Sequence, residues 1–536
     1  MKLDSMSQLE EFLQDWSELQ AVLEEDLAWR YIKMSCDTED GTKRRSYEKF
    51  VTEIQPKIAP KENELEKILS ESPILSDLSD DHQIYLKRIE RSLELFREEN
   101  IEIQAKLAAE SQKYGAITGK MSVQHEGKEY TLQQAAAAFL KHNDRSLREE
   151  VYHNISEQRM VARESLHELF DQLIAWRHEL ATNAGFKNYR DYKFAAMCRF
   201  DYSPNDCFDF HKSIQKSLMP LVDELMMDRK NQMQLSDLRP WDLMMDVEGR
   251  SPLKPFDKSE DLVEKSIQCF NRLDPFFGEC LNTMRDLGHL DLESRKGKAP
   301  GGYNYPLYEI GVPFIFMNAA GTVRDLVTMV HEGGHAIHSF LSRGLKLTGF
   351  KELTSEVAEL ASMSMELLSM EHWDVFFEKK EDLIRAKKEH LEDIMSTLPW
   401  IALIDKFQHW IYENPEHSYQ EREGQWLKLH NEFSSNIVDW EGLEDERRII
   451  WQKQLHLFEV PFYYIEYGMA QLGAIAMWKQ YKETGQKAID NYKAALSLGY
   501  TRSIPEIYEA AGIKFDFSEN YIRQLMDFVR AEYKRL

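Results

Sequence analysis

The sequence predicts a mainly α-helical fold with a small amount of β-structure, and three observations carry that prediction. The composition pairs 43% hydrophobic with 30% charged residues and has only 24 Gly and 16 Pro in 536 residues, the profile of a helix-rich globular chain. Apolar residues recur at steps of three and four, as in Leu9, Phe12, Trp16, Leu19 and Leu23. Helix-start signatures recur as well, a Ser or Thr followed three residues later by a side chain able to bond back to it.

Taken in order, the run from Leu9 predicts one helix that ends before the loop SCDTEDG. Leu86, Ile89, Leu93, Phe96, Asn100, Ile103 and Leu107 keep a strict three-four alternation, which predicts long paired helices inside the chain rather than an oligomerising coiled coil. The pattern then changes to AITGKMSVQHEGKEY, where Glu126-Gly127 can turn a β-hairpin between two short strands near 116–130. Thr131 with Gln134 opens the helix TLQQAAAAFLKHN, and Ser146 with Glu149 opens a long helix that ends near Asn183 to Gly185. Ser203-Pro204 starts the next helix with a cap and a proline in its first turn. A soft boundary is expected near Asp201.

Further on, GGYNYPLYEIGVPFIFMN predicts a strand in VPFIFMN, placed at an edge or bulged because Pro313 cannot donate to a ladder. An open edge there can take an extended peptide as an added strand through main-chain hydrogen bonds. Gly333 and Gly334 lie inside the following helical stretch, where each costs about 1 kcal/mol relative to Ala. Something is therefore expected to press on the backbone at that point, the edge strand being the first choice.

The formal net charge of -25 repels phosphate backbones and anionic membranes, so no nucleic-acid or membrane partner is expected. The start, MKLDSMSQLEEFLQDW, lacks a charged segment followed by an apolar run, and no stretch of 18 apolar residues occurs, so a cytoplasmic protein is expected. Cys36, Cys198, Cys207, Cys269 and Cys280 lack C-x-x-C spacing and are read as buried thiols.

The chemistry concentrates between Thr322 and Glu366. His331 and His335 stand four apart with Glu332 after the first, in a helix capped by Thr322 with Asp325 and closed near Gly344. Both imidazoles then leave one face, one turn apart. Two neutral imidazoles so placed can hold Zn2+, and a carboxylate beside the first can take a proton from the ion's water. Five letters alone can arise by chance in a chain with 17 His. Position 341 is Leu, which excludes the longer motif with a third histidine, and His338 is read as a packed or hydrogen-bonded helix residue. Ser355 can cap a second helix through SEVAELASMSMELL, whose Glu356, Glu359 and Glu366 share one face, with Glu359 as the third ligand candidate. Glu356 or Glu366 can then orient a ligand imidazole. A thermolysin-like third ligand would fall near Thr354, which offers no carboxylate.

HEGGHAIHSFLS followed by EVAELASMSMELL resembles the M3 family of zinc metallopeptidases, in particular its oligoendopeptidase F branch. HLFEVPFYYIEYGMAQLG, from His456 to Gly473, is similar to that family's downstream His/Tyr block, and with the GGYNY stretch the likeness covers about Gly115 to the C-terminus. The resemblance implies a two-lobed helical fold with a deep substrate channel and a small β-sheet beside the HExxH helix. It implies one Zn2+ on His331, His335 and Glu359, with Glu332 as general base. It also implies that His456, Tyr464 and Tyr467 stabilise the oxyanion and orient the peptide, while Tyr463 is left with the core. Residues 1–200 become an N-terminal helical region and 201–536 the catalytic region. The expected activity is endopeptidase cleavage of short unstructured peptides. The alternatives are a carboxypeptidase or dipeptidyl carboxypeptidase, and a non-catalytic zinc-containing peptide-binding protein. The sequence leaves open whether the protein is a monomer or a homo-oligomer.

Overall fold

Sustained three-four spacing produces long helices here, and the computed structural model, which describes residues 2–536, is dominated by them. Met6–Cys36, Arg145–Asn183 and Lys380–Glu413 are the longest. One continuous apolar core runs from Ile103 to Val529 and passes without a break across Asp201, with Tyr189 against Tyr412 and Phe194 against Phe462. Among the described residues, no helix is long and apolar enough to cross a membrane.

Several elements differ from the expectation, each for a local reason. The Leu86–Leu107 run is two helices, Gln83–Leu95 and Glu98–Ser111, because Phe96 and Arg97 adopt extended conformations. The Arg97 guanidinium donates to the Glu94 and Phe96 carbonyls that the break frees. The cap of Arg145–Asn183 is Asp144, whose carboxylate accepts from Ser146 N at 2.9 Å, rather than Ser146 itself. A charged acceptor one step earlier also complements the positive end of the helix dipole. Lys113–Thr118 is a short helix, and the hairpin starts later, with β1 at Ser122–His125 and β2 at Lys128–Thr131. Glu126 and Gly127 both have positive φ, 48° and 76°, as a two-residue primed turn requires. The Thr131/Gln134 cap forms as expected, with Gln134 N donating to Thr131 Oγ1 at 3.2 Å.

The second sheet positions the site. It contains β3 (Leu290–Glu293), β4 (Tyr303–Tyr305) and β5 (Phe314–Ala319) in the order β3-β5-β4, with β5 parallel to β3 and antiparallel to β4. The VPFIFMN strand is thus central, not at an edge, but it is bulged as the alternative expected: its pairing with β3 shifts register between Asp291 and Glu293, where Phe316 to Ala319 of β5 spans one residue more. Pro313 stands one residue before the ladder, so its missing N–H removes no sheet bond. The edge belongs to β4, in the GGYNY stretch. Ala28 and Ile32 of the first helix cluster with Leu307, Phe314 and Phe316 of this region.

All five cysteines are free; Cys207, Cys269 and Cys280 are buried, whereas Cys36 and Cys198 are only half-buried.

Candidate metal centre

Helix Val323–Ser342 starts from Thr322, whose Oγ1 accepts from Asp325 N at 3.2 Å while Asp325 accepts from Thr322 N at 2.8 Å. A second helix, Ser355–Met370, returns beside it with Thr354 in the cap position and Ser355 as its first residue. The glycine pair explains how close the helices come. A Cβ on Gly334 would sit 2.6 Å from Ser362 Cα and 2.7 Å from the Ala361 carbonyl oxygen. A Cβ on Gly333 would sit 2.7 Å from the Phe270 ring. The backbone is pressed as expected, but by the returning helix and by Phe270, not by a strand.

This approach brings Glu359 to the histidines. Glu359 Oε2 lies 3.3 Å from His331 Nε2 and 3.7 Å from His335 Nε2. Around a tetrahedral ion with bonds of about 2.0–2.1 Å, neighbouring donor atoms stand about 3.3 Å apart. The three side chains therefore have the spacing and the N/N/O donor set of a zinc site, and the two imidazole rings are nearly perpendicular, at 87°.

The surrounding groups orient these donors. Glu366 Oε1 stands 2.6 Å from His331 Nδ1, so that nitrogen carries the proton and Nε2 is left as a free donor. Ser362 Oγ donates to Glu359 Oε2 at 3.1 Å, and Tyr463 Oη donates to Glu359 Oε1 at 3.2 Å. Glu356 is elsewhere, accepting from Tyr202 Oη at 2.6 Å. Burial pushes His335 down to about 4, keeping it neutral as a metal donor must be. Burial opposes a charge on His331 too, but Glu359 and Glu366 outweigh it and raise the ring well above its ordinary value. Two carboxylates thus concentrate negative potential where the Nε2 atoms converge. Glu332 is 7% exposed and free of a carboxylate partner; burial, with a smaller contribution from Glu359, raises it to about 7. His338 is buried without a hydrogen-bond partner for either ring nitrogen, a packed residue held neutral.

Of the downstream block, Tyr463 lines the same cavity as His335 and Glu359. His456, on the short helix Leu455–Glu459, has Nδ1 2.7 Å from Gln454 Nε2. Its ring lies 4.8 Å from Tyr464, 6.0 Å from Tyr467 and 6.2 Å from Tyr463. Tyr463, assigned to the core from sequence, is the tyrosine that reaches Glu359, whereas the Tyr464 hydroxyl is directed to Trp400 and Gln454. Phe462, with a φ of 67°, turns the chain just before helix Tyr464–Thr484 begins. A cavity of about 290 Å³ joins the parts: Asn304 of β4, Tyr308, His335, Glu359 and Tyr463 all line it. Asn304 Nδ2 also donates to the Glu332 carbonyl at 3.5 Å, tying the sheet edge to the HExxH helix.

Comparisons with known proteins bear on the family and the fold. Oligopeptidase PepF of Bacillus subtilis is 24% identical over 341 residues, covering 62% of this chain and 49% of that protein. The matched segment spans about half the length of such curated relatives. Among solved structures, PZ peptidase A with inhibitor 2 superimposes with a TM-score of 0.92 at 26% identity, covering 100% of this chain and 94% of the other. The oligoendopeptidase-F of Enterococcus faecium shares the fold at a TM-score of 0.63 and 16% identity, over 96% of this chain and 90% of that one. The sequence pattern of the peptidase M3 N-terminal domain matches residues 1–96, upstream of the likeness legible by eye. That of peptidase family M3 matches residues 138–527, so the chain belongs to peptidase family M3.

Proposed function

We propose that the protein is a zinc-dependent endopeptidase that hydrolyses internal bonds of short, unstructured oligopeptides in the cytoplasm. The observation that carries this reading is the convergence of His331, His335 and Glu359, of which His335 and Glu359 line a cavity, with Glu332 next to His331 in the chain. A zinc ion on those three side chains supplies, when bound, polarisation of the scissile carbonyl and a more acidic water.

The chain's own groups do the rest. Glu332 accepts the proton of the attacking water and delivers it to the leaving amine nitrogen. Tyr463, Tyr467 and His456 donate to the carbonyl oxygen as it becomes anionic, while Tyr464 packs on His456 and holds it in place. The β4 edge carries the peptide backbone through main-chain hydrogen bonds, which tolerates varied side chains. Residues 201–536 supply the whole of this chemistry, and a channel leading to buried groups excludes folded proteins.

A second reading is favoured by one observation. Arg343 and Lys351 also line the cavity, and among the described residues neither forms an ion pair, so a peptide's C-terminal carboxylate has cations to meet. That would make the protein a dipeptidyl carboxypeptidase. Mapping products from one peptide with a free and with an amidated C-terminus separates the two, since only endopeptidase cleavage survives amidation.

The decisive variant is Glu332→Gln. It should keep its metal and lose about 10²–10⁴-fold in kcat. A variant that cleaves as fast as wild type, or one that loses its metal, overturns the assignment of the base. A wild-type protein that binds metal and peptide but never cleaves would make it the non-catalytic binding protein.

A further inference from the structure

Outside the candidate centre, a second group of donor side chains is sealed inside the helical core. Cys207 and His211 are four apart on helix Pro204–Ser217, and Asp405 and His409 are four apart on helix Lys380–Glu413, so each pair leaves one face of its helix. The two helices pack face to face there. All four side chains are at most 2% exposed. One donor atom each from Cys207, Asp405 and His409 lie within 4.8 Å of one another.

The hydrogen bonding within this group is incomplete. His211 Nε2 reaches Asp405 Oδ2 at 2.8 Å, and His409 Nε2 approaches the same oxygen at 3.3 Å without the alignment of a hydrogen bond. Among the described residues, Asp405 Oδ1 and His409 Nδ1 have no hydrogen-bond partner, and His409 Nε2 has only the poorly aligned approach to Asp405. The only ion-pair partners of Asp405 are these two imidazoles; among the described residues, no Lys or Arg reaches it. A buried carboxylate in such company calls for a compensating positive charge, and unpartnered buried nitrogens call for something to bind.

We propose that Cys207, Asp405 and His409 hold a structural zinc ion, with His211 orienting Asp405 through its hydrogen bond. The donor set of thiolate, imidazole and carboxylate is one that zinc accepts. On binding, the Cys207 Sγ–H proton leaves to solvent and an Sγ–Zn bond forms, so Zn2+ against one thiolate and one carboxylate is neutral. No C-x-x-C spacing announces the site because the ligands come as two helical pairs from distant parts of the chain. Its consequence reaches the candidate centre. Gln408, next to His409, accepts from Phe462 N at 2.6 Å, and the His409 ring lies 5.3 Å from Phe462, so the ion would stiffen the turn that presents Tyr463.

The test is metal loading of the full chain, read by metal content and by cobalt spectroscopy. Mass-spectrometric analysis of dialysed wild-type protein should find about two zinc ions per chain, falling to about one in Cys207→Ser and in His409→Gln. Chelator-stripped protein reloaded with Co2+ should show a near-ultraviolet sulfur-to-cobalt charge-transfer band, a signal that His331, His335 and Glu359 cannot give. The band should persist in a His331→Ala/His335→Ala variant and vanish in Cys207→Ser. One metal per wild-type chain, with no such band on cobalt loading, overturns the proposal whether or not the variants fold. Because that readout ignores peptide cleavage, its failure is distinct from failure of the proposed activity.

Discussion

Two adjacent tyrosines show what decides a role at the scale of single residues. Tyr463 and Tyr464 are equally polar and neighbours in sequence, but only Tyr463 donates to Glu359. On the proposed role, in which the Tyr463 hydroxyl turns from Glu359 to the oxyanion, Tyr463→Phe should lower kcat by about 10²-fold, the usual cost of a lost oxyanion donor, with metal content unchanged. Tyr464→Phe should change kcat only a few-fold, because its ring still packs on His456. Steady-state kinetics on one blocked peptide decides between them, and equal losses would remove the distinction. Sequence could carry His331, Glu332 and His335 because their relation is local, one turn of one helix. It could carry Glu359 and Glu366 as well, since a spacing of seven keeps both on one face. Tyr463 escaped because its direction depends on the positive φ of Phe462, and no residue pattern announces a left-handed phenylalanine.

Whole elements were legible where their signals are short-range and obscure where partners are distant. The capped helices, the Glu126-Gly127 turn and the glycine-pressed HExxH helix follow from local chemistry. The strand order does not, because Pro313 excludes a central position only if it lies within the ladder, and it lies one residue outside. The identity of the body pressing on Gly334 was equally invisible, and it has a measurable consequence. Gly334→Ala gains about 1 kcal/mol of helix propensity but forces a methyl against backbone atoms that cannot rotate away, at a cost of about 1–3 kcal/mol. The returning helix should yield, carrying Glu359 from the histidines, so metal affinity falls together with Tm. Gly333→Ala meets only the Phe270 ring, and its metal affinity should fall less; competition with a chelator dye measures both.

A second element-scale case concerns Asp242, buried between Arg145 and Arg148 at the start of the longest helix. Burial alone would raise its carboxyl, but hydrogen bonds from Arg145 and Arg148 outweigh it and hold the group below its ordinary value. A depressed folded value means this stabilisation is complete above pH ~4 and is lost as the pH falls further through the folded value. Asp242→Asn should cost about 3 kcal/mol near neutrality, by leaving Arg148 buried without its counter-charge. Denaturant melts at pH 7 and pH 3 check this, and the gap between variant and wild type should narrow in acid.

Across the whole molecule the dominant quantity is charge, and it acts against the cavity's own preference. A net charge of -25 spreads a negative field that draws cationic peptides from bulk. At the cavity, however, Arg343 and Lys351 offer short-range contacts to an anionic group. The two effects differ in range. A field acting over more than about 10 Å is screened at 0.1 M salt, while contacts inside a cavity are screened far less. Peptides sharing one scissile core but flanked by Lys or by Glu should therefore respond oppositely as salt rises from about 20 to 200 mM. kcat/KM should fall several-fold for the Lys-flanked peptide and rise for the Glu-flanked one, with kcat constant for both. Replacing Arg343 with Gln should weaken the Glu-flanked peptide at every salt concentration without altering either slope. If both peptides instead lose kcat/KM in parallel, recognition is governed by contacts within the cavity, and the surface charge does not steer the substrate.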